Sequence, residues 1–434
     1  MDNSRNKALD ILIEYERNGT YPNLALKKHL RGINSTRDKN FITTLVYGVI
    51  ETKLTLDYYI SYVSSVKLSK INVVVLTILR MGLYQIIYLS TPVSAACNTS
   101  VDLAKKNGQF KSSGFVNAIL RKLSITYRDI SLPKNDSIEH FKIKYSINTN
   151  IANTLIKSLG IDGFVNFMES KSKIDSSIYA VINSKKTTVD NLLLSLKEDG
   201  VNCQSTRYEN LLKLSGHVDI EHTSSFKLGL FHVITLPSYI AAYSLNPKYN
   251  DTVLDMCAAP GGKTFTIYSL TNGQVDVTAF DLHEHKIKCI NKECMRLGIT
   301  NINTNVANSS KFKPEFENYA DCIICDVPCS GLGMIFKKPD IKYNNTDFES
   351  LTKLQFEILS NAACYLKSGG RLVYSTCTVN IDENDAIIDN FLKLHSEFSI
   401  DKSVQIYDNC YGVKTFLPHI DNIDGFYIAV LKKD

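Results

Sequence analysis

The first 125 residues place apolar side chains three and four positions apart, which is the spacing of helices with one buried face. The stretches NKALDILIEYE and NLALKKHL show it, and RDKNFITTLVYGVIETKLTLDYYISYV continues it without strand alternation or hairpin turns. The apolar run VVVLTILRMGLYQIIYL, at residues 73–89, includes Arg80 and Gln85 and falls short of a membrane span, so a core helix is predicted there. Residues 1–125 are therefore predicted to form an all-α bundle.

The pattern changes between residues 126 and 230. IYAVIN, at residues 178–183, and ENLLKLSG are strand candidates, and TTVDNLLLSLKEDG is a candidate helix that ends at Gly200. A small α/β domain is predicted for this stretch, which contains no motif that indicates chemistry.

From about residue 250 onward, short β-rich runs alternate with helical stretches. The runs are TVLDM, VDVTAF, INTNV, DCIICD and RLVYST, and helices such as EHKIKCINKECMRLG separate them. This alternation predicts a parallel, doubly wound sheet with its ligand site at the carboxyl ends of the strands.

Length and charge refine this picture. A chain of 434 residues exceeds the roughly 250 to 300 residues that one hydrophobic core serves, so two or three domains are expected. Residues 1–122 carry 17 Lys and Arg against 8 Asp and Glu, whereas the whole chain has 49 against 44. The basic excess of the helical part indicates an anionic polymer such as RNA or DNA as partner, although a merely solvated basic surface fits the charge as well.

The eleven cysteines lack the spacing of small secreted domains, and the N-terminal MDNSRNKALDI has no apolar signal region, so reduced thiols in the cytoplasm are expected. Cys322 and Cys325 form a C-x-x-C, but in a strand they point to opposite faces, and no metal site is predicted. Six cysteines are predicted to fill space as small apolar side chains, namely Cys257, Cys289, Cys294, Cys322, Cys325 and Cys364.

The segment VLDMCAAPGGKTF, at residues 253–265, combines a strand, a turn of small residues and the start of a helix. The spacing of a phosphate-binding P-loop fails, because its first glycine would fall at Cys257. Asp281 ends the next strand, twenty positions after Gly261, where a carboxylate can accept both hydroxyls of a ribose. Together these features predict a site for a nucleotide-type cofactor.

Two further cysteines, Cys329 and Cys377, are expected at the ends of neighbouring strands. A thiolate is a strong nucleophile, and a second thiol opposite it can move a proton. Such a pair suits chemistry on a pyrimidine, in which one sulfur adds to carbon 6 and carbon 5 then attacks an electrophilic methyl group. Asp326, close to the ring, could hydrogen-bond the base edge.

Several motifs resemble those of the RNA 5-methylcytosine methyltransferases, namely DMCAAPGGKT, DVPCSGLGM, KKPDIKY, LKSGGRLVYSTCT and DGFYIAVL. The N-terminal YPNLALKKHL, RDKNFITTLVYGVIE and GFVNAILRKL resemble the RNA-binding fold of the antitermination factor NusB. The two resemblances cover nearly the whole chain. They imply a multidomain protein with a NusB-like helical bundle at 1–125, a small α/β connecting domain at 126–230 and a Rossmann-like catalytic domain at 231–434.

The resemblance implies S-adenosylmethionine (AdoMet) as methyl donor and a cytosine of 16S ribosomal RNA as acceptor. Position by position, Cys377 matches the nucleophile, Cys329 the residue that assists product release, and Asp326 the aspartate between cofactor and base. The residues that match the AdoMet loop are Cys257, Ala258, Ala259, Pro260, Gly261, Gly262 and Lys263, and Asp281 matches the ribose acid. Asn308 stands where the family usually has an acidic residue on the adenine side.

The target cytosine must be unstacked to react, so single-stranded or loop RNA before full subunit assembly is the expected substrate. A cytoplasmic monomer is expected, without a membrane or metal partner. The candidate contacts to RNA phosphates are Lys337, Lys338 and Lys342. The sequence does not distinguish such lysines from ordinary surface lysines. Two other functions stay open. One is a non-catalytic RNA-binding assembly factor, and the other is methylation of transfer RNA.

Overall fold

The computed structural model describes residues 2–135, 137–175, 177–215 and 219–434. The chain forms two compact units, one of residues 1–156 with 335–345 and one of residues 157–334 with 346–434. Among the described residues, no helix is long and apolar enough to cross a membrane.

The α-helices are numbered in chain order. They are α1 (Asp2–Asn18), α2 (Pro22–His29), α3 (Thr36–Glu51), α4 (Lys53–Val63), α5 (Val73–Ile87), α6 (Val93–Lys106), α7 (Ser113–Thr126), α8 (Ile138–Lys144), α9 (Thr149–Met168), α10 (Val189–Glu198), α11 (Ser224–Lys227), α12 (Leu236–Ser244), α13 (Gly262–Leu270), α14 (Glu284–Leu297), α15 (Phe348–Tyr365), α16 (Asp385–Leu394) and α17 (Pro418–Asp421).

The first unit is a helical bundle around one apolar core, as the three-and-four spacing predicts. Capping side chains set where its helices begin, because they accept hydrogen bonds from backbone N–H groups that have no helical partner. The Ser35 side chain accepts from the N–H of Asp38 at the start of α3, and Asn72 does the same for Val74 at the start of α5. The predicted core helix is α5, which buries most of its side chains.

Residues 335–345 belong to the helical unit although the flanking chain belongs to the other. The Lys342 ammonium is buried and donates to the carbonyl oxygens of Glu51, at 2.8 Å, and Tyr145, at 2.9 Å. The Tyr343 hydroxyl donates to the carbonyl of Ile50 at 2.5 Å. The prediction that Lys342 contacts RNA phosphates is therefore wrong, because its charge satisfies backbone carbonyls at the end of α3 and α8.

The β-strands are numbered in the same way. They are β1 (Ile178–Ile182), β2 (Asn202–Ser205), β3 (Leu211–Ser215), β4 (Phe231–Ile234), β5 (Thr252–Asp255), β6 (Asp276–Asp281), β7 (Ile302–Val306), β8 (Ala320–Asp326), β9 (Leu366–Thr376), β10 (Phe398–Ile400), β11 (Gln405–Tyr407), β12 (Cys410–Tyr411), β13 (Val413–Phe416) and β14 (Phe426–Lys433).

The smaller sheet of the second unit has four strands in the order β2-β3-β1-β4, and its pairs are antiparallel. The strand candidates at 178–183 and 209–216 and the helix candidate between them are present as β1, β3 and α10, and position 216 lies outside the described residues. Gly200 follows α10 with φ 75°, the left-handed region that glycine adopts most readily. The boundaries at 125 and 230 stay predictions.

The larger sheet has the order β10-β14-β9-β8-β5-β6-β7. The strands from β5 to β9 pair in parallel, as predicted, but β14 is antiparallel to β9, and β10 and β13 are antiparallel to β14. The sheet is therefore mixed and not purely parallel. Only residues 417–425 connect β13 to β14, and a parallel crossover needs a dozen or more residues.

The six cysteines predicted to fill space differ in exposure, and Cys257 is intermediate. Cys294, Cys322 and Cys325 are buried, as expected of small apolar side chains. Cys289 and Cys364 are exposed, so the prediction that they fill the core is wrong. Both lie on the outer side of helices, α14 and α15, where the helical pattern puts solvent-facing residues.

Candidate active site

Two cysteines lie side by side where two neighbouring strands of the larger sheet end. Cys329 follows β8 and Cys377 follows β9, and their Sγ atoms are 3.3 Å apart. Because β8 and β9 are parallel, with Asp326 opposite Ser375, their carboxyl ends bring both loops to one edge of the sheet. We call residues 327–331 and 377–380 the cysteine loops. The structure thus brings together the two thiols that the sequence singled out.

The surroundings of the pair favour a proton on Cys329. The hydrogen bond with Cys377 raises the pKa of the Cys329 thiol, and burial and the nearby Glu383 and Asp326 raise this pKa further. Near neutral pH, Cys329 therefore stays protonated and can donate its hydrogen to the Cys377 sulfur. A sulfur that accepts such a bond is stabilised as a thiolate, which is the nucleophilic form.

Asp326, at the end of β8, forms an ion pair. Its Oδ2 accepts a hydrogen bond from Lys263 Nζ at 2.6 Å, and its Oδ1 accepts one from the Ser375 hydroxyl at 2.8 Å. The Lys263 ammonium also lies 5.5 Å from the centre of the Phe426 ring. Lys263, predicted as part of the cofactor loop, thus directs its charge to Asp326 and holds this carboxylate in a fixed orientation.

The predicted cofactor loop is a tight turn between β5 and α13. The N–H of Ala258 donates to the carbonyl of Phe280 at 2.8 Å, and the N–H of Gly261 donates to the carbonyl of Ala258 at 2.7 Å. Gly261 has φ 107°, and a Cβ there would collide with the Phe265 ring. Glycine is therefore required at this position for two reasons, backbone conformation and close packing.

A cavity of about 350 Å³ opens beside this loop. Leu282, Leu354 and Ile358 give it apolar walls, and Asp326 forms part of its lining. The other predicted cofactor residues on the lining are Cys257, Ala259, Asp281 and Asn308. Among the described residues, those that shape the loop without lining the cavity are Ala258, Pro260, Gly261, Gly262 and Lys263.

Asp281 presents a nearly buried carboxylate to this cavity. Its Oδ2 accepts from the N–H of Ala259 at 3.3 Å and its Oδ1 from the N–H of His283 at 3.1 Å. The Lys286 ammonium forms an ion pair with Oδ1 at 3.7 Å, a distance too long for a hydrogen bond. A carboxylate offers about four acceptor sites, so two can still accept from a ligand such as a pair of hydroxyl groups.

Asn308 is exposed at the rim of the same cavity. Its Oδ1 accepts from both the N–H and the hydroxyl of Ser310, each at 3.0 Å. The amide oxygen therefore fixes the local turn, and the NH₂ group is left to face a ligand. A ligand edge with a hydrogen-bond acceptor suits this arrangement better than a donor.

Sequence reasoning missed Glu383, which is fully buried between the cysteine loops and accepts hydrogen bonds from Ser330 and Asn380. In the sequence it is one of three acids in IDEND, and nothing in this pattern distinguishes a buried acid from a solvated one.

Sequence reasoning also gave no role to two glycines beside the Cys377 loop. The N–H of Gly333 donates to the carbonyl of Cys377 at 3.0 Å, and the N–H of Gly425 donates to the carbonyl of Gly333 at 3.1 Å. A Cβ on Gly333 would collide with the Gly425 backbone. The two backbones therefore approach closely enough to fix the carbonyl of Cys377.

Within the described ranges, no group of three or more His, Cys, Asp or Glu side chains is arranged to hold a metal ion.

The fold and the site define a class of protein, the Rossmann-like methyltransferases. Residues 242–432 match the family described as 16S rRNA methyltransferase RsmB/F, and residues 2–124 match the NusB family. The probable ribosomal RNA small subunit methyltransferase B of Bacillus subtilis is 35% identical over 99% of this chain and 98% of its own length. Its counterpart in a Synechocystis species is 33% identical over the full length of both chains. The chain belongs to the RsmB/F family of 16S rRNA methyltransferases.

Solved structures agree with the fold. The crystal structure of PH0851 is similar with a TM-score of 0.82 and 26% identity, over 99% of both chains. NSun6 from Pyrococcus horikoshii, solved with SFG, has a TM-score of 0.57 and 21% identity, over 65% of this chain and 97% of its own, and shares the fold. The predicted family, the predicted fold class of a NusB-like bundle with a Rossmann-like domain, and the predicted activity as an rRNA methyltransferase are confirmed.

Proposed function

We propose that this protein transfers a methyl group from AdoMet to carbon 5 of a cytosine in 16S rRNA, through a covalent bond between Cys377 and the base. The observation that carries the proposal is the 3.3 Å distance between the sulfurs of Cys329 and Cys377, beside a cavity that also contains Asp326. Two adjacent thiols at a ligand site suit a reaction that needs one nucleophile and one group that moves a proton.

Cys377 is the nucleophile. As the thiolate that accepts a hydrogen bond from Cys329, it adds to carbon 6 of the cytosine, and the electrons of the C5–C6 double bond become available at carbon 5. Carbon 5 takes up the methyl group, which AdoMet would supply as an electrophilic carbon on its sulfonium, and the electron pair of the broken carbon–sulfur bond would stay on the AdoMet sulfur. Cys377 then leaves with the electrons of the C6–S bond, as a thiolate.

Cys329 acts in the release step, in which the proton on carbon 5 departs and its electrons restore the C5–C6 double bond. The pKa of Cys329 is raised first by its hydrogen bond to Cys377. When the Cys377 sulfur is bonded to carbon it carries no charge, so its hydrogen bond with Cys329 becomes weaker. The pKa of Cys329 is then raised less, and Cys329 loses its proton more readily. The resulting thiolate is then able to accept the proton from carbon 5.

Asp326 and Lys263 act on the base edge. The carboxylate faces the cavity while Lys263 and Ser375 fix its orientation, so it hydrogen-bonds the cytosine without having to reorganise. Because the ionised carboxylate can only accept, it bonds the exocyclic amino group of the cytosine and so orients the ring for attack by Cys377.

The side chains that line the cavity match the chemical groups of AdoMet. Asp281 has acceptor sites left for the two ribose hydroxyls, Leu282 and Ile358 offer apolar surface for the adenine, and the Asn308 amide offers a hydrogen-bond donor at the rim. The cytosine must leave its base stack to reach the thiols, so single-stranded rRNA before full subunit assembly is the proposed substrate. We place the reaction in the cytoplasm and expect the protein to act as a monomer.

The first experiment measures transfer of labelled methyl groups from AdoMet to unmodified 16S rRNA, with bisulfite mapping of the product. A single new 5-methylcytosine is expected. Label in transfer RNA and none in 16S rRNA would contradict the proposed substrate. Salt-sensitive RNA binding without label in either RNA would indicate the non-catalytic assembly factor.

The cysteine roles have their own test, which is a covalent trap. The variant Cys329→Ala is expected to accumulate a protein–RNA adduct when it is incubated with RNA and AdoMet, because attack proceeds while release is blocked. The double variant Cys329→Ala, Cys377→Ala is expected to form none. Denaturing gel electrophoresis detects the adduct, and an adduct that survives in the double variant assigns the nucleophile to another residue. Cys289→Ala, a change of an exposed cysteine, serves as the control and should behave like the wild type.

A further inference from the structure

Glu383 is a fully buried carboxylate between the two cysteine loops. Its Oε2 accepts from the N–H of Ser330 at 2.8 Å and from Gln355 Nε2 at 2.9 Å. Its Oε1 accepts from the Ser330 hydroxyl at 2.5 Å and from Asn380 Nδ2 at 3.0 Å. The four acceptor sites that a carboxylate offers are therefore all used.

The donors belong to both cysteine loops. Ser330 follows Cys329 directly, and the Gln355 amide that reaches Glu383 also donates to the carbonyl of Pro328 at 2.8 Å. Asn380 lies on the other loop, where Thr378 bonds the Ser330 hydroxyl at 2.8 Å. A single side chain thus connects the backbone on both sides of Cys329 to the loop that begins at Cys377.

The contribution of Glu383 to stability does not explain why its charge is buried, because burying a charge costs free energy. In the described part of the chain, the Glu383 carboxylate is held by neutral donors and forms no ion pair. A buried charge is tolerated only when every hydrogen bond to it is well aligned, and an apolar side chain often serves stability as well or better. The network therefore fixes the loops in one geometry, because any other geometry would leave the charge unsatisfied.

We propose that Glu383 is a positioning residue for the thiol pair: its carboxylate holds the two cysteine loops at the spacing that lets the sulfurs share a proton. The inference rests on the proposed function, in which Cys377 attacks as a thiolate. Glu383 itself touches neither the base nor AdoMet in this proposal.

The electrostatic surroundings agree with this role. Besides Cys377, the titratable groups that face Cys329 are Glu383, Asp326 and Tyr374. The Glu383 carboxylate accepts a hydrogen bond from the N–H of Ser330, the residue that follows Cys329. Its negative charge contributes to the raised pKa of Cys329. The Tyr374 hydroxyl donates to the backbone carbonyl of Glu383 at 2.7 Å, so it supports the same segment.

The test is the variant Glu383→Gln, which keeps the size of the side chain, removes its charge and replaces one acceptor by a donor. The kcat for methylation is expected to fall about 100-fold, since small displacements of reacting groups have effects of this size. The KM for RNA and the Kd for AdoMet should stay close to wild type, because the AdoMet cavity is lined by other residues. Glu349→Gln, at an exposed position in the first turn of α15, is the matched control and should change neither quantity.

A second readout separates positioning from a general loss of structure. The rate at which iodoacetamide alkylates Cys329 is measured by mass spectrometry as a function of pH. The alkylation profile of Glu383→Gln should shift to lower pH, because the loss of a neighbouring negative charge makes the thiol easier to ionise. This measurement uses the protein without RNA or AdoMet, so it tests Glu383 even if the wild type transfers no methyl group and the proposed function fails.

A folded Glu383→Gln protein with wild-type kcat and an unchanged alkylation profile would overturn the inference. If that variant does not fold, Ser330→Ala decides, since it keeps the charge and the N–H donor but removes one hydrogen bond to Glu383. A loss in kcat of about 10-fold with an unchanged alkylation profile is expected. Wild-type kcat in Ser330→Ala would then contradict the positioning role.

Discussion

Single buried groups near the cofactor loop have pKa values that their surroundings change strongly. Burial raises the pKa of Asp255, at the end of β5, to about 7, although the hydrogen bond from Thr264 and the nearby Lys263 counteract part of this. Burial lowers the pKa of His232 to about 3. Each of these groups therefore makes the stability of the catalytic unit depend on pH.

The effect of Asp255 has a definite sign. A carboxyl group whose pKa is higher in the folded chain binds more protons when folded, so the free energy of unfolding decreases as the pH rises from about 4 to about 7. Asp255→Asn removes this dependence. Relative to the wild type, the variant should gain about 2 kcal/mol between pH 5.5 and pH 8, since one pKa unit corresponds to about 1.4 kcal/mol.

Urea titrations followed by circular dichroism at the two pH values measure this difference. His232 contributes equally to both proteins and cancels, although its own lowered pKa makes stability rise with pH between about 3 and 6.5. Asp276→Asn, an exposed acid at the start of β6, controls for the change in net charge. If the difference in the free energy of unfolding between Asp255→Asn and the wild type is the same at both pH values, burial does not raise the pKa of Asp255.

At the scale of elements, helices α1, α4 and α5 are joined by a buried charge network. Arg80 of α5 forms two parallel hydrogen bonds with the carboxylate of Asp57, at 2.7 and 2.8 Å, and a third with Glu16 at 3.1 Å. Lys53, the first residue of α4, pairs with the same Glu16 at 2.7 Å. The bidentate pair fixes the orientation of α4 relative to α5, and the contacts of Glu16 connect α1 to both helices.

Arg80→Met should weaken this part of the bundle by about 3 kcal/mol, because it leaves the little-exposed Asp57 carboxylate without Arg80 and leaves Glu16 with Lys53 as its remaining cation. Hydrogen exchange of the full chain, read by mass spectrometry, should show faster exchange in α1, α4 and α5. Arg31→Met, an exposed arginine in the loop after α2, should leave exchange unchanged. Equal exchange in the two variants would mean that the network contributes nothing to stability.

At the scale of the whole molecule, charge is distributed unevenly along the chain. Residues 1–122 hold 17 of the 49 Lys and Arg but only 8 of the 44 Asp and Glu. Exposed basic side chains of α6, α7 and the turn between them include Lys105, Lys111 and Lys122. A basic helical part joined to a catalytic unit suits a substrate whose backbone is anionic along its length.

RNA binding is therefore expected to weaken steeply with salt. The variant Lys111→Gln, Lys122→Gln should bind a 16S rRNA fragment more weakly at low salt, and the slope of log K against log salt concentration should fall by about 0.7 for each phosphate that is no longer neutralised. Fluorescence anisotropy over a range of KCl concentrations measures both. The pair Lys292→Gln, Lys393→Gln, exposed on α14 and α16, gives the same change in charge outside the basic part. An identical slope for the two double variants would place the RNA-binding surface elsewhere.

The sequence by itself determined the kinds of element, the fold class and the position of the two thiols at strand ends, because helical spacing, strand runs and turn residues are local properties. It also predicted that Asp281 and the loop around Gly261 belong to one site, since those features have a fixed spacing along the chain. Its errors concern side chains whose type is compatible with two environments. Lys342 suits a phosphate or a set of buried carbonyls, and Cys364 suits a core or a surface.

Only the tertiary structure decided which side chains meet across the sheet. Strand order places Cys329 and Cys377 3.3 Å apart although 48 residues separate them, and it reverses β14 against β9. Burial of Glu383 depends on donors from α15 and from two loops, and no local pattern encodes that convergence. Such contacts depend on residues that are distant in sequence and on the exclusion of water from their side chains, so these contacts form only when the chain has folded.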